Sequence, residues 1–124
     1  MTRGDADPLV IAAAPEALAA TLKGLSADVV FIDTAPAHGA DITSAARLSD
    51  LVLVPARPAV FDVRAVAPTV RLARAVRRQT LVVLNQTPPQ RGKQEPTITR
   101  EARELLEAGG ATVATTAIAQ RADL

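Results

Sequence analysis

Asp33 and Asn85 each close a run of apolar residues, and four arginines, Arg64, Arg71, Arg74 and Arg78, recur along the segment between them. Asp33 follows Val29-Val30-Phe31-Ile32, which reads as a strand buried on both faces. At the end of such a strand a carboxylate projects into the crevice outside the carboxyl ends of a parallel sheet, where open α/β folds bind ligands. Thr34 adds a hydroxyl there and Pro36 stiffens the exit. Asn85 ends Leu81-Val82-Val83-Leu84, and its amide both donates and accepts hydrogen bonds. A row of guanidinium groups suits phosphates. Each reading has a plain alternative: Asp33 caps the turn that follows it, Asn85 shapes a turn ahead of Gln86, and the arginines form a solvated helix face. His38 stands alone in a loop, without a Ser or Cys arrangement around it. The chain holds no GxSxG, HExxH or GxGxxG. Gly92-Lys93 supplies the GK pair of a phosphate loop, but Thr87 stands where the leading glycine belongs and Gln94 where Ser or Thr belongs.

The elements that must position these residues follow from period and punctuation. Leu9–Ala13 reads as a short strand, Pro15 suits the first position of a helix, and Leu18, Leu22 and Leu25 make one apolar stripe. With the strand ending at Asp33 this gives a right-handed, parallel βαβ unit. Gly39 serves a turn, and Asp41 is an N-cap for a helix through Leu48. Leu51–Val54 is a second buried strand, closed by Pro55, and Asp62 a second N-cap. From Phe61 to Arg78 the period is helical, with Phe61, Ala65, Val66, Val70 and Ala73 on one side and the arginines on the other. Pro68 inside it removes a backbone bond at a cost of about 3 kcal/mol, so a fresh start there is expected. Thr80–Leu84 is the third buried strand, and Gln86–Pro96 a loop. A helix capped by Thr97 or Thr99, with Ile98, Ala102, Leu105 and Leu106 inward, ends at Gly109-Gly110, and Thr112–Ile118 is the last strand. The expectation is α/β, a mainly parallel sheet flanked by helices, in one domain over residues 1–124.

Composition narrows the class. Of 124 residues 48% are hydrophobic, with two Phe and neither Trp nor Tyr, which is a globular pattern for a single core. The lack of cysteine excludes disulfides and thiolate metal sites and fits a reducing cytoplasm. No apolar run approaches the roughly 20 residues of a membrane span, and Leu9–Ala14 is too short for a signal-peptide core. The net charge of +1 is uneven: residues 61–93 hold seven basic side chains against Asp62 alone. A local basic face follows from that placement.

Asp28–Pro36, then Ala46–Pro55, then Leu81–Asn85, resemble in order and spacing the second half of a ParA-type partition ATPase, of the deviant Walker A group that includes MinD. The resemblance spans about Leu9 to Arg121 and implies a P-loop NTPase-like fold, incomplete at its N-terminus, because the lysine-bearing phosphate loop has no counterpart. It also implies roles. Asp33 is the catalytic carboxylate that holds Mg²⁺ through water, with Thr34 and Pro36 beside it, since a hard cation bridging phosphates takes oxygen ligands. Asn85 reads the adenine of ATP, and Gln120 and Arg121 lie around the base. The complete protein is expected to hydrolyse ATP, to form a homodimer, to bind DNA non-specifically through Arg64, Arg71, Arg74 and Arg78, and to engage a centromere-binding, ParB-like partner in the cytoplasm. The rival from another class is a non-catalytic α/β interaction module that has lost the nucleotide. If the family arrangement is kept, the strands ending at Asp33 and Val54 face an empty central slot, and the chain is expected to be unstable unless that gap is filled or closed.

Overall fold

The chain divides into two compact units, Met1–Asp33 and Thr34–Leu124. A computed structural model describes residues 9–34 and 39–121. In the first unit Pro15 opens a 3₁₀ turn, Pro15–Ala17, that runs into helix α1, Leu18–Lys23. Leu18, Leu22 and Leu25 are half-buried, but α1 ends before Leu25 and no strand flanks it, so the stripe is shorter than expected and lies on no sheet of its own unit. The flanking apolar runs correct the sequence reading. Neither Leu9–Ala13 nor Val29–Asp33 forms a strand, and Phe31 is 81% exposed. A β-branched and aromatic run fits a pleated, half-buried surface, but strand formation also needs a neighbour to accept its backbone hydrogen bonds. These runs pair with none, so the empty central slot does not arise as expected.

The second unit contains α2 (Gly39–Arg47), β1 (Leu51–Ala56), α3 (Val60–Ala75), β2 (Gln79–Thr87), α4 (Thr97–Ala108) and β3 (Ile118–Ala119). Its three strands form an all-parallel sheet in the order β1-β2-β3, with Leu51 opposite Gln79 and Ala56 opposite Leu84. The α/β class and the parallel sheet flanked by helices are therefore as the sequence implied. Val54, Ala56, Val82 and Leu84 point to one face and pack with Val66 and Val70 of α3 and with Ala102 and Leu106 of α4. The opposite face stays open: Leu53 is 46% exposed and Leu81 and Val83 are half-buried. β1 and β2, expected to be buried on both faces, are thus fully covered on one.

Helix α3 passes through Pro68 without restarting. Pro68 lies on the exposed side, so the carbonyl of Arg64, which loses its partner there, can turn to water. Phe61, placed inward by period, is 85% exposed. Ala59, not Asp62, is the N-cap residue of α3. Helix α4 buries Ala102 and Leu106 as expected, together with Thr99, while Ile98 and Leu105 face out. Arg103 on the same helix turns inward. Its Nη2 and Nε donate to Glu95 Oε1 and Oε2 at 2.7 and 3.1 Å, and its guanidinium also reaches the carbonyls of Ala114 and Thr115. One side chain thereby ties the Pro-rich loop, α4 and the segment before β3 together. Gly110, at φ 88°, ends α4 in the left-handed conformation that glycine adopts without strain.

Candidate functional site

At the carboxyl ends of β1 and β2 a cleft of about 260 Å³ opens toward α3. Pro55 and Arg57 line it from β1 and the loop after it, Asp62 and Thr69 from α3, and Asn85 and Gln86 from the end of β2. This is the position that open parallel sheets use for ligands. Sites for whole drug-sized ligands measure about 300–1,000 Å³, so this cleft suits a ring-sized group.

Local chain chemistry shapes it. The pairing of β2 with β3 places Asn85 opposite Ile118 and Thr87 opposite Ala119, so Gln86 is an extra residue, a bulge, and its φ is 52°. A left-handed glutamine in a strand is strained, and bulges recur where a strand end re-aims a side chain beside a site. The Asn85 Oδ1 accepts the Gln86 N–H at 2.9 Å, which props the bulge and leaves the amide NH₂ as the free donor. The turn-forming reading of Asn85 therefore holds, and the residue also lines the cleft. Across the mouth, Arg57 donates to Asp62 at 3.2 Å. Sequence reasoning missed this pair because Asp62 was read as a cap; nothing in the sequence marks Thr69.

The other expected residues fall into three groups. Gln120 donates its backbone N–H to the Thr87 carbonyl at 2.8 Å, so β3 delivers Gln120 and then Arg121 to the same end of the sheet as Asn85. Asp33 and Thr34 are exposed and belong to no strand; Asp33 closes the first unit. Pro36 and His38 lie outside the described residues. Among the described residues no three His, Cys, Asp or Glu side chains gather as a metal site. No helix among them is long and apolar enough to cross a membrane.

The arginine row divides. Arg78 donates from Nε to the Ala46 carbonyl at 3.2 Å and from Nη2 to the Arg47 carbonyl at 2.7 Å, capping the end of α2. The Arg74 guanidinium donates to the Gly110 carbonyl at the end of α4. Arg74 thus ties α3 to the end of α4, and Arg78 ties the turn before β2 to the end of α2. Arg78→Ala should therefore lower stability by about 1 to 2 kcal/mol through the lost charged donors. Hydrogen exchange should show α2 amides opening faster than those of β2; equal exchange in α2 of both proteins would contradict the tether.

No family model matches the chain, and no curated protein or solved structure matches it.

Proposed function

We propose that residues 39–121 form the base-binding side of a nucleotide site, within an ATPase of the ParA type that acts in plasmid or chromosome partition. The observation that carries this reading is the placement of Asn85 in a ring-sized cleft at the carboxyl end of the parallel sheet, the end to which β3 also delivers Gln120 and Arg121. The free Asn85 NH₂ is a donor for a ring nitrogen of adenine, and Pro55 gives the base an apolar wall. The phosphate end is another matter. Gly92 and Lys93 sit in an exposed loop, and the sequence around them lacks the leading Gly and the Ser or Thr of a phosphate loop. Mg²⁺ would accompany the phosphates and supply charge neutralisation there, and Asp33 is the carboxylate that the family resemblance assigns to it. The homodimer and the ParB-like partner belong to the same reading.

Most nucleotide binding energy comes from phosphate contacts, so this chain should hold AMP only weakly, with a Kd of about 1 mM. A heteronuclear NMR titration should move the amides of Asn85, Gln86 and Gln120 and leave α4 unchanged. Asn85→Ala should abolish those shifts. Shifts scattered over the surface, or none at millimolar AMP, would reject the nucleotide reading in favour of the interaction module.

A further inference from the structure

Between α3 and α4 runs a second groove, of about 430 Å³. Its floor is apolar: Val60, Val63 and Val70 form one wall and Leu105 and Leu106 the other. Leu105 is 56% exposed and Val60 is exposed too, so the apolar surface is open to a partner. Arg64, Arg71 and Arg74 stand along the α3 rim, and no acidic side chain lines the groove. Arg74 is held by the Gly110 carbonyl, which closes one end. Arg64 and Arg71 make no hydrogen bond or ion pair in the structure, and they lie two helical turns apart, about 10 Å along the axis.

The geometry points to a docking groove for an acidic amphipathic helix of a partner protein, its apolar stripe on the valine and leucine floor and its carboxylates paired with Arg64 and Arg71. Two observations select this occupant. The length of α3 from Val60 to Arg74 spans roughly 20 Å, which matches a helix of about four turns. A charge row of one sign bordering an apolar floor is the mode by which grooves take helices, read through anchors at i, i+3, i+4 and i+7. A DNA duplex would use the arginines but gain nothing from Val60, Val63 and Leu105, whose burial contributes only against an apolar partner. The inference does not rest on the nucleotide reading, since the groove takes Val63, Arg64, Ala67 and Val70 of α3 and the cleft takes Asp62, Ala65 and Thr69, with Val66 alone common to both.

The test uses the full chain and a synthetic amphipathic helix of about four turns, with leucines on one stripe and glutamates beside it at seven-residue spacing. Fluorescence anisotropy should show it binding at least about tenfold more tightly than the same peptide with lysines in place of glutamates. The double variant Arg64→Glu, Arg71→Glu should invert that preference, which a merely destabilised protein would not do. Leu105→Ser should weaken the glutamate peptide. Equal affinity for both peptides would overturn the proposal. So would displacement of the peptide by a short DNA duplex whose own binding is unaffected by Leu105→Ser, because the row would then serve phosphates.

Discussion

Leu84→Ala should lower the stability of the second unit by about 2 to 5 kcal/mol, against a total of about 5 to 15 kcal/mol for a domain. Leu84 is 0% exposed and sits in β2, the central strand, in the core that α3 and α4 close over. Its neighbour across the ladder is Ala56, too small to spread into the space a truncated side chain would leave. The helices cannot close the gap either, because Arg74 and Arg103 fix α4 to the surrounding backbone. The cavity should persist, which places the cost toward the upper end of the range. Urea unfolding followed by circular dichroism gives the number. A loss under about 1 kcal/mol would mean that the core collapses freely and is not close-packed around β2.

Arg103→Ala should have the second largest effect, about 1.5 to 3 kcal/mol, and should change how stability depends on pH. The hydrogen bonds from Arg103 hold the Glu95 carboxyl below its ordinary value, against a smaller opposing push from burial, and Glu95 in turn raises the Arg103 guanidinium. A carboxylate with a depressed folded value stabilises the fold above its unfolded pKa, about 4.3 for glutamate, and loses that contribution as the pH falls through the lowered value. The pair should therefore be fully effective at neutral pH and fade below about pH 4. Urea melts of both proteins at pH 7 and near pH 3 should show the difference between them shrinking in acid. A difference that is the same at both pH values would assign the effect of Arg103 to its carbonyl contacts and its packed stem. Arg103→Lys should rescue little, because a point charge cannot make the two-pronged contact with Glu95.

The sequence was most legible where an apolar period met a clear stop. α4, ended by Gly109-Gly110, lies where period and punctuation put it, while β1 runs on through Pro55 to Ala56 and β2 past Leu84 to Thr87. The helical period of Leu18 and Leu22 was legible too. Val29–Ile32 was not, because composition reports how well a segment would suit a sheet and is silent about whether a pairing edge exists. The inward face of α4 was misread in part because Thr99 is polar and yet buried, its hydroxyl without a bond, while Leu105 is apolar and yet exposed. A helix whose groove-facing leucine is left open cannot be phased by assuming that leucine is inside. Of the candidate site, Asn85 could be placed from the apolar run it closes, and Gln120 and Arg121 only from the family resemblance. The Gln86 bulge could not, because it depends on the register of β2 against β3, two segments separated by α4.

That register bears on how the chain is made. Every rung between β1 and β2 joins residues separated by the whole of α3, and every rung between β2 and β3 joins residues separated by the Pro-rich loop and α4. No strand among the described residues pairs with its neighbour across a short turn. At about 5 to 20 residues per second of synthesis, β1 leaves the ribosome and waits on the order of seconds for β2 to emerge. During that interval α3, whose hydrogen bonds are local, can already form in well under a millisecond. Assembly should thus begin as a helix carrying an unpaired strand, and α3 supplies the surface that keeps Val54 and Ala56 covered until the sheet exists.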